Sequence, residues 1–137
     1  AAAVQRLPME FDYLVQPLIP EVVSVGEWSL LYFGGEFSHA VLKRPASGDF
    51  RVQVQFGGSE VMLDPGPALR ASAEAVLEAT AACGYPDAAY ARVDGVVVEG
   101  RFLLMELEMI EPHLFFAHRP AAAARFAEQL VARLRLL

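Results

Sequence analysis

The chain has 137 residues, enough for one domain or one compact piece of a larger one. Its 11 basic and 17 acidic side chains give a net charge of −6 with no basic run, which argues against nucleic acid as a partner. No apolar run reaches membrane-spanning length, and the single cysteine, Cys83, can build neither a disulfide framework nor a zinc site, so a reducing cytoplasm is the expected compartment.

A hydrophobic fraction of 55% is high for so short a chain and implies an apolar face that packs on another body, whether a missing segment or a second copy in a homo-oligomer. The chain opens AAAVQRLP, without Met and without a charged leader or cleavage pattern, as if entered in mid-protein. Residues 1–10 read as the end of a helix stopped near Pro8. Phe11 to Ile19, FDYLVQPLI, reads as a strand leading into a bend. Pro17 and Pro20 exclude a central ladder position, so Gln16 to Ile19 belongs at an edge or hinge. Free backbone N–H and C=O groups there could read a purine edge; an ordinary strand-to-loop exit is the commoner use of such a segment.

Glu27–Phe33 and Glu36–Lys43 form a hairpin around Gly34-Gly35, a strong turn signal between two strand-like runs. His39 sits mid-strand with no partner at metal spacing and reads as a satisfied core or edge histidine. Lys43 and Arg44 end the strand before Pro45, either to meet phosphate or as a solvated strand end. Phe50 to Phe56 alternates, with Arg51, Gln53 and Gln55 on one face and Val52, Val54 and Phe56 on the other, before Gly57-Gly58 breaks it. A polar-faced strand flanked by glycines can reach over a cleft; a plain surface loop would look the same. Ala68 to Ala82 is a helix by the spacing of Leu69, Ala73, Val76, Leu77 and Thr80, closed by Gly84-Tyr85-Pro86-Asp87.

Tyr90 to Pro112 carries the chemistry. Two apolar strands meet at Glu99-Gly100, yet hold Arg92 and Asp94 on one and Glu106 and Glu108 on the other at alternate positions. A two-residue loop would oppose Asp94 to Met105 and split the carboxylates between faces. A three-residue loop, Glu99-Gly100-Arg101, pairs Asp94 with Glu106 and Arg92 with Glu108, and this register is the one expected. Three carboxylates and one guanidinium then share a face of a greasy hairpin. Clustered carboxylates raise each other's pKa, and a hard divalent cation such as magnesium relieves them; a solvated face with an Arg–Glu pair is the alternative. A last helix runs from about Ala121 to Leu136, with Phe126, Leu130, Val131 and Leu134 as its apolar stripe.

Taken in order, LVQPLI (14–19), GEWSLLYFGGEFSHAVLKR (26–44), GDFRVQVQFGG (48–58), a helix, YARVDGV (90–96) and LMELEMIEP (104–112) resemble the C-terminal part of an ATP-grasp domain. The type is that of glutathione synthetase and ribosomal-protein glutamate ligases. The resemblance covers about residues 12–130. It implies an α+β fold, mainly an antiparallel sheet with two packing helices, for residues 12–137. Residues 1–11 would be the remnant of a preceding helix or linker, and the N-terminal half of the parent enzyme would be absent. It further implies an ATP-dependent ligase that activates a small-molecule or peptide carboxylate as acyl-phosphate and joins it to an amine. By resemblance, Asp94, Glu106 and Glu108 would hold magnesium, two ions in the intact enzyme, and Arg92 would face the transferred phosphoryl group as the catalytic residue. Lys43 would contact ATP phosphate, Gln16 and Leu18 adenine, Met105 its apolar floor, and Glu27 the ribose side. Arg51, Gln53, Gly57 and Gly58 would belong to a loop over the acceptor substrate. Glu108 departs from the family, many of whose members carry Asn there. The rival expectations are a catalytically inactive nucleotide-binding module and a plain structural α+β domain.

Overall fold

The computed structural model describes residues 8, 10–13, 15–86 and 88–135. The expected helix end at residues 1–10, apart from Pro8 and Glu10, lies outside the described residues, as do Leu14, Asp87 and Leu136. Five strands, β1 (Glu27–Phe33), β2 (Glu36–Arg44), β3 (Ser59–Met62), β4 (Tyr90–Val98) and β5 (Arg101–Glu108), form one antiparallel sheet in the order β3-β2-β1-β4-β5. Helices α1 (Pro20–Ser24), α2 (Gly66–Ala82) and α3 (Pro120–Leu134) flank it. This is the α+β arrangement expected, with one short helix more.

Alternation along the strands separates two faces. Leu30 and Tyr32 of β1, Ala40 of β2 and Val93 of β4 point to one side and bury against Leu69 and Ala73 of α2. A fully buried aliphatic side chain contributes roughly 1.5–3 kcal/mol, so this layer anchors the sheet. The opposite face is divided. At the end nearest the Gly34-Gly35 turn, Phe33 stacks on Phe126 of α3 with ring centroids 4.6 Å apart, and Tyr90 meets Phe126 edge-on at 5.7 Å. Next to this, Leu31 and Val41 pack on Phe115 from the segment after β5. Beyond Phe115 that face is charged.

Two expected strands are not formed. Among the described residues 11–19 there is no ladder; the chain runs extended past Pro17 and enters α1 at Pro20, a proline whose missing N–H and fixed φ suit the first helical turn. Phe50 to Phe56 is not a strand either. The Asp49 carboxylate accepts from the Phe50 and Arg51 N–H groups at 2.8 and 2.9 Å, a local turn that competes with any ladder. Arg51 pairs with the same carboxylate and lies over the Phe56 ring at 3.9 Å, so it does not share an open face with Gln53 and Gln55. A single 3-10 turn, Val54–Phe56, follows. The real strand is β3, just after the glycines, pairing Lys43 with Glu60 and Val41 with Met62. Gly58 is required there by space, since a Cβ would stand 2.2 Å from the Val52 carbonyl oxygen.

The β4–β5 hairpin has the expected pairing by a different device. Val98 pairs with Arg101, so the loop is the two residues Glu99 and Gly100, both at positive φ (50° and 76°), as the twist of a tight hairpin demands. The ladder then shifts between Asp94 and Gly95. Gly95 pairs with Leu104 and Asp94 with Glu106, which leaves Met105 as one extra residue, a β-bulge. The Phe102 ring lies over Gly95 at this point; a Cβ there would stand 2.3 Å from it.

Candidate functional site

Register gathers the charged residues. Lys43 is paired with Glu60 and with Glu27, Ser29 with Asp94, Asp94 with Glu106, and Arg92 with Glu108, so all eight lie on one face of the sheet. They line or adjoin a cleft of about 500 Å³ that also takes in Gln53, Val54 and Gln55 and is closed on one side by His113 and Phe115. Five carboxylates face two cations there.

Asp94 is the buried centre, 1% exposed. Arg92 grips it through two parallel contacts, Nε to Oδ1 at 3.0 Å and Nη2 to Oδ2 at 2.7 Å, and the same guanidinium donates to Glu108 and, at 3.3 Å, to the His113 carbonyl. Lys43 Nζ donates to Glu27 Oε1 at 2.6 Å and stands 3.5 Å from Asp94 Oδ2. Burial opposes the Arg92 charge, but the hydrogen bonds and attraction of Asp94, then Glu108 and Glu106, outweigh it and hold the guanidinium above its ordinary range. Glu106 goes the other way. Burial, then repulsion by Glu108, the hydrogen bond that a protonated Glu106 donates to Glu108, and the Asp94 charge raise its carboxyl above the usual carboxylate range, only partly offset by Arg92. Ser29, cross-strand from Asp94, has a fully buried hydroxyl with no hydrogen-bond partner.

Asp94, Glu106 and Glu108 each offer a carboxylate oxygen, and these oxygens lie within 4.8 Å of one another. Hard oxygen donors at such spacing fit magnesium or manganese, and the raised Glu106 carboxyl is what a cation would relieve.

A second cleft, also about 500 Å³, adjoins the first and shares Glu27 and Gln53 with it. Its lining is mostly apolar: Leu18, Ile19, Val22, Phe50, Val52 and Met105, with Gln16 and Arg51 at its margin. The Met105 bulge residue therefore serves this cleft while its neighbour Glu106 serves the charged one. Of the residues singled out from sequence, Arg92, Asp94, Glu106, Glu108, Lys43 and Glu27 meet in the charged cleft, and Gln16, Leu18, Arg51, Gln53 and Met105 in the apolar one. Gly57 and Gly58 line neither. Sequence reasoning missed Glu60, His113 and Phe115. Glu60 enters the cleft through β3, whose pairing with β2 sets it opposite Lys43.

The fold is an open antiparallel sheet of five strands with one charged face lining a cleft. Among solved structures, D-cycloserine synthetase is 32% identical over 87% of this chain and 41% of its own, with a TM-score of 0.75. Two structures of D-alanine–D-alanine ligase from Bacillus anthracis, one complexed with ATP, share the fold at 19% and 22% identity, with TM-scores of 0.56 and 0.53. They are matched over 80% of this chain and 38% and 40% of theirs. No family model and no curated protein matches the chain. The chain is similar in structure to the C-terminal ATP-grasp part of these ligases, and it spans about two fifths of the length of the structures it matches.

Proposed function

We propose that this chain is the nucleotide- and metal-holding part of an ATP- and magnesium-dependent ligase, one that activates a carboxylate as acyl-phosphate and joins it to an amine. Residues 12–137 form its C-terminal subdomain, and an upstream half supplies the remaining contacts to ATP and substrate. One observation carries the reading: an apolar cleft and a carboxylate-rich cleft meet at Glu27 and Gln53. A molecule with an apolar base at one end and a metal-bound polyphosphate at the other matches that pairing.

In this reading the backbone at Gln16 and Leu18 and the side chain of Met105 receive adenine, and Glu27 lies toward the ribose. Lys43 meets phosphate, and Asp94, Glu106 and Glu108 hold magnesium. The ion would neutralise the polyphosphate and align donor with acceptor. Arg92, already presenting a planar fork between Asp94 and Glu108, steadies the phosphoryl oxygens. The Asp49–Arg51–Phe56 cluster keeps the 48–58 segment compact beside the acceptor end, with Arg51, Gln53, Gly57 and Gly58 its substrate-side residues. The likeness to D-cycloserine synthetase favours small-molecule substrates.

The test is nucleotide-dependent product formation by the intact protein. Asp94→Asn and Glu106→Gln should each lower turnover about a hundredfold or more at saturating ATP and magnesium. Unchanged turnover in either variant would remove that residue from the chemistry. ATP binding without any product in the unmodified protein would favour an inactive nucleotide-binding module.

A further inference from the structure

Ser29 lies on the charged face of the sheet, and the nucleotide and metal reading assigns it no role. It is fully buried, 0% exposed, and its hydroxyl has no hydrogen-bond partner. Buried hydroxyls are nearly always paired, because an unpaired one costs stability that alanine in the same place would not. The need for a small side chain therefore does not explain a serine here. Of its two cross-strand neighbours, Val41 is apolar and Asp94 is the buried carboxylate of the cluster. Directly opposed residues hold their Cβ atoms about 4.5–5.5 Å apart, near enough for a serine hydroxyl to reach an aspartate oxygen after side-chain rotation. As the side chains stand, Arg92 donates to both Asp94 oxygens, Lys43 is 3.5 Å from Oδ2, and the serine is left out.

We propose that Ser29 is a positioning residue for the metal cluster: with a divalent cation on Asp94, Glu106 and Glu108, its hydroxyl donates to Asp94 and holds that carboxylate in place. This rests on the metal part of the reading above and adds a residue to it. A ligating carboxylate keeps its aim when the protein hydrogen-bonds its remaining lone pairs, and such partners typically account for about ten- to a hundredfold in metal affinity. A hydroxyl suits the place, since it rotates to its acceptor and brings no second positive charge against the ion. Ser29 acts through Asp94 and itself touches neither ion nor substrate.

The test follows manganese binding to the intact protein by electron paramagnetic resonance, with thermal unfolding of the metal-free protein alongside. Ser29→Ala should weaken manganese about tenfold or more, yet leave the metal-free melting temperature unchanged or higher, because it removes an unpaired hydroxyl. Ser29→Cys, close in size but a weak donor, should bind manganese nearly as poorly as Ser29→Ala. In the unmodified protein, the Ser29 hydroxyl proton should move downfield and exchange more slowly with solvent on adding magnesium, a readout that does not depend on the variants folding. Manganese affinity within about twofold of the parent in folded Ser29→Ala would overturn the assignment. So would a lowered metal-free melting temperature, which would mean the hydroxyl is already paired, or a hydroxyl proton unmoved by magnesium. Failure of the unmodified protein to bind manganese would instead strike the metal reading, and this assignment with it.

Discussion

The β5 bulge makes deletion of Met105 an unusually sharp experiment. From the hairpin tip the regular ladder pairs Val98 with Arg101 through Gly95 with Leu104, and one further regular step would oppose Asp94 to Met105. Removing Met105 brings Glu106 into that place. The deletion therefore preserves Asp94 opposite Glu106 and Arg92 opposite Glu108, and straightens the strand instead of scrambling it. What is lost is one side chain, 42% exposed, from the apolar cleft. Full burial of a methionine is worth roughly 1.5–3 kcal/mol, so covering the exposed part on nucleotide binding contributes about 1 kcal/mol, or about fivefold in affinity. The expected result is a folded protein with divalent-ion affinity little changed and nucleotide affinity about fivefold weaker. Manganese binding followed by electron paramagnetic resonance and calorimetric titration of an ATP analogue measure the two separately. Asp94→Asn serves as the control that should abolish ion binding. Loss of manganese binding by a folded Met105 deletion would refute the register argument and the metal cluster with it.

Gly95→Ala should destabilise by about 1–3 kcal/mol in urea unfolding, because its Cβ meets the Phe102 ring at 2.3 Å and the Leu103 carbonyl oxygen at 2.6 Å; a stability unchanged from the parent would mean the ring is free to swing away. The raised Glu106 carboxyl sets a pH dependence. A carboxylate whose folded pKa lies above its unfolded value destabilises the metal-free fold when ionised, fully so above the folded pKa, and this cost fades as pH falls to the ordinary carboxylate range. Glu106→Gln should therefore raise the melting temperature of the metal-free protein at neutral pH, with the gain vanishing in acid. A gain that persisted below the carboxylate range would point to packing instead of charge.

The sequence was legible where period-2 alternation met a strong turn. The β1–β2 hairpin at Gly34-Gly35, helix α2 and the two apolar strands β4 and β5 stand where their patterns place them, allowing a residue or two at the ends. The pairing of Asp94 with Glu106 was also legible, but its cause was not. Both a longer loop and a bulge shift register by one; the bulge sits where the Phe102 ring lies over Gly95, a contact that no local pattern encodes. Phe50 to Phe56 shows the opposite failure. Its alternation is real, yet the Asp49 side chain captures the backbone first, and the ladder passes to Ser59–Met62, four residues whose pairing is set by β2. With β3 misplaced, Glu60 was out of view.

The guanidinium lodged between Asp94 and Glu108 is bonded to two of the three carboxylates that a divalent ion would claim. Ion entry and the swing of that side chain are then two sides of one exchange, each opposing the other to the same degree. A vacant cluster would be kept folded by its resident arginine, and the arriving ion would release that arm toward whatever anion came with it.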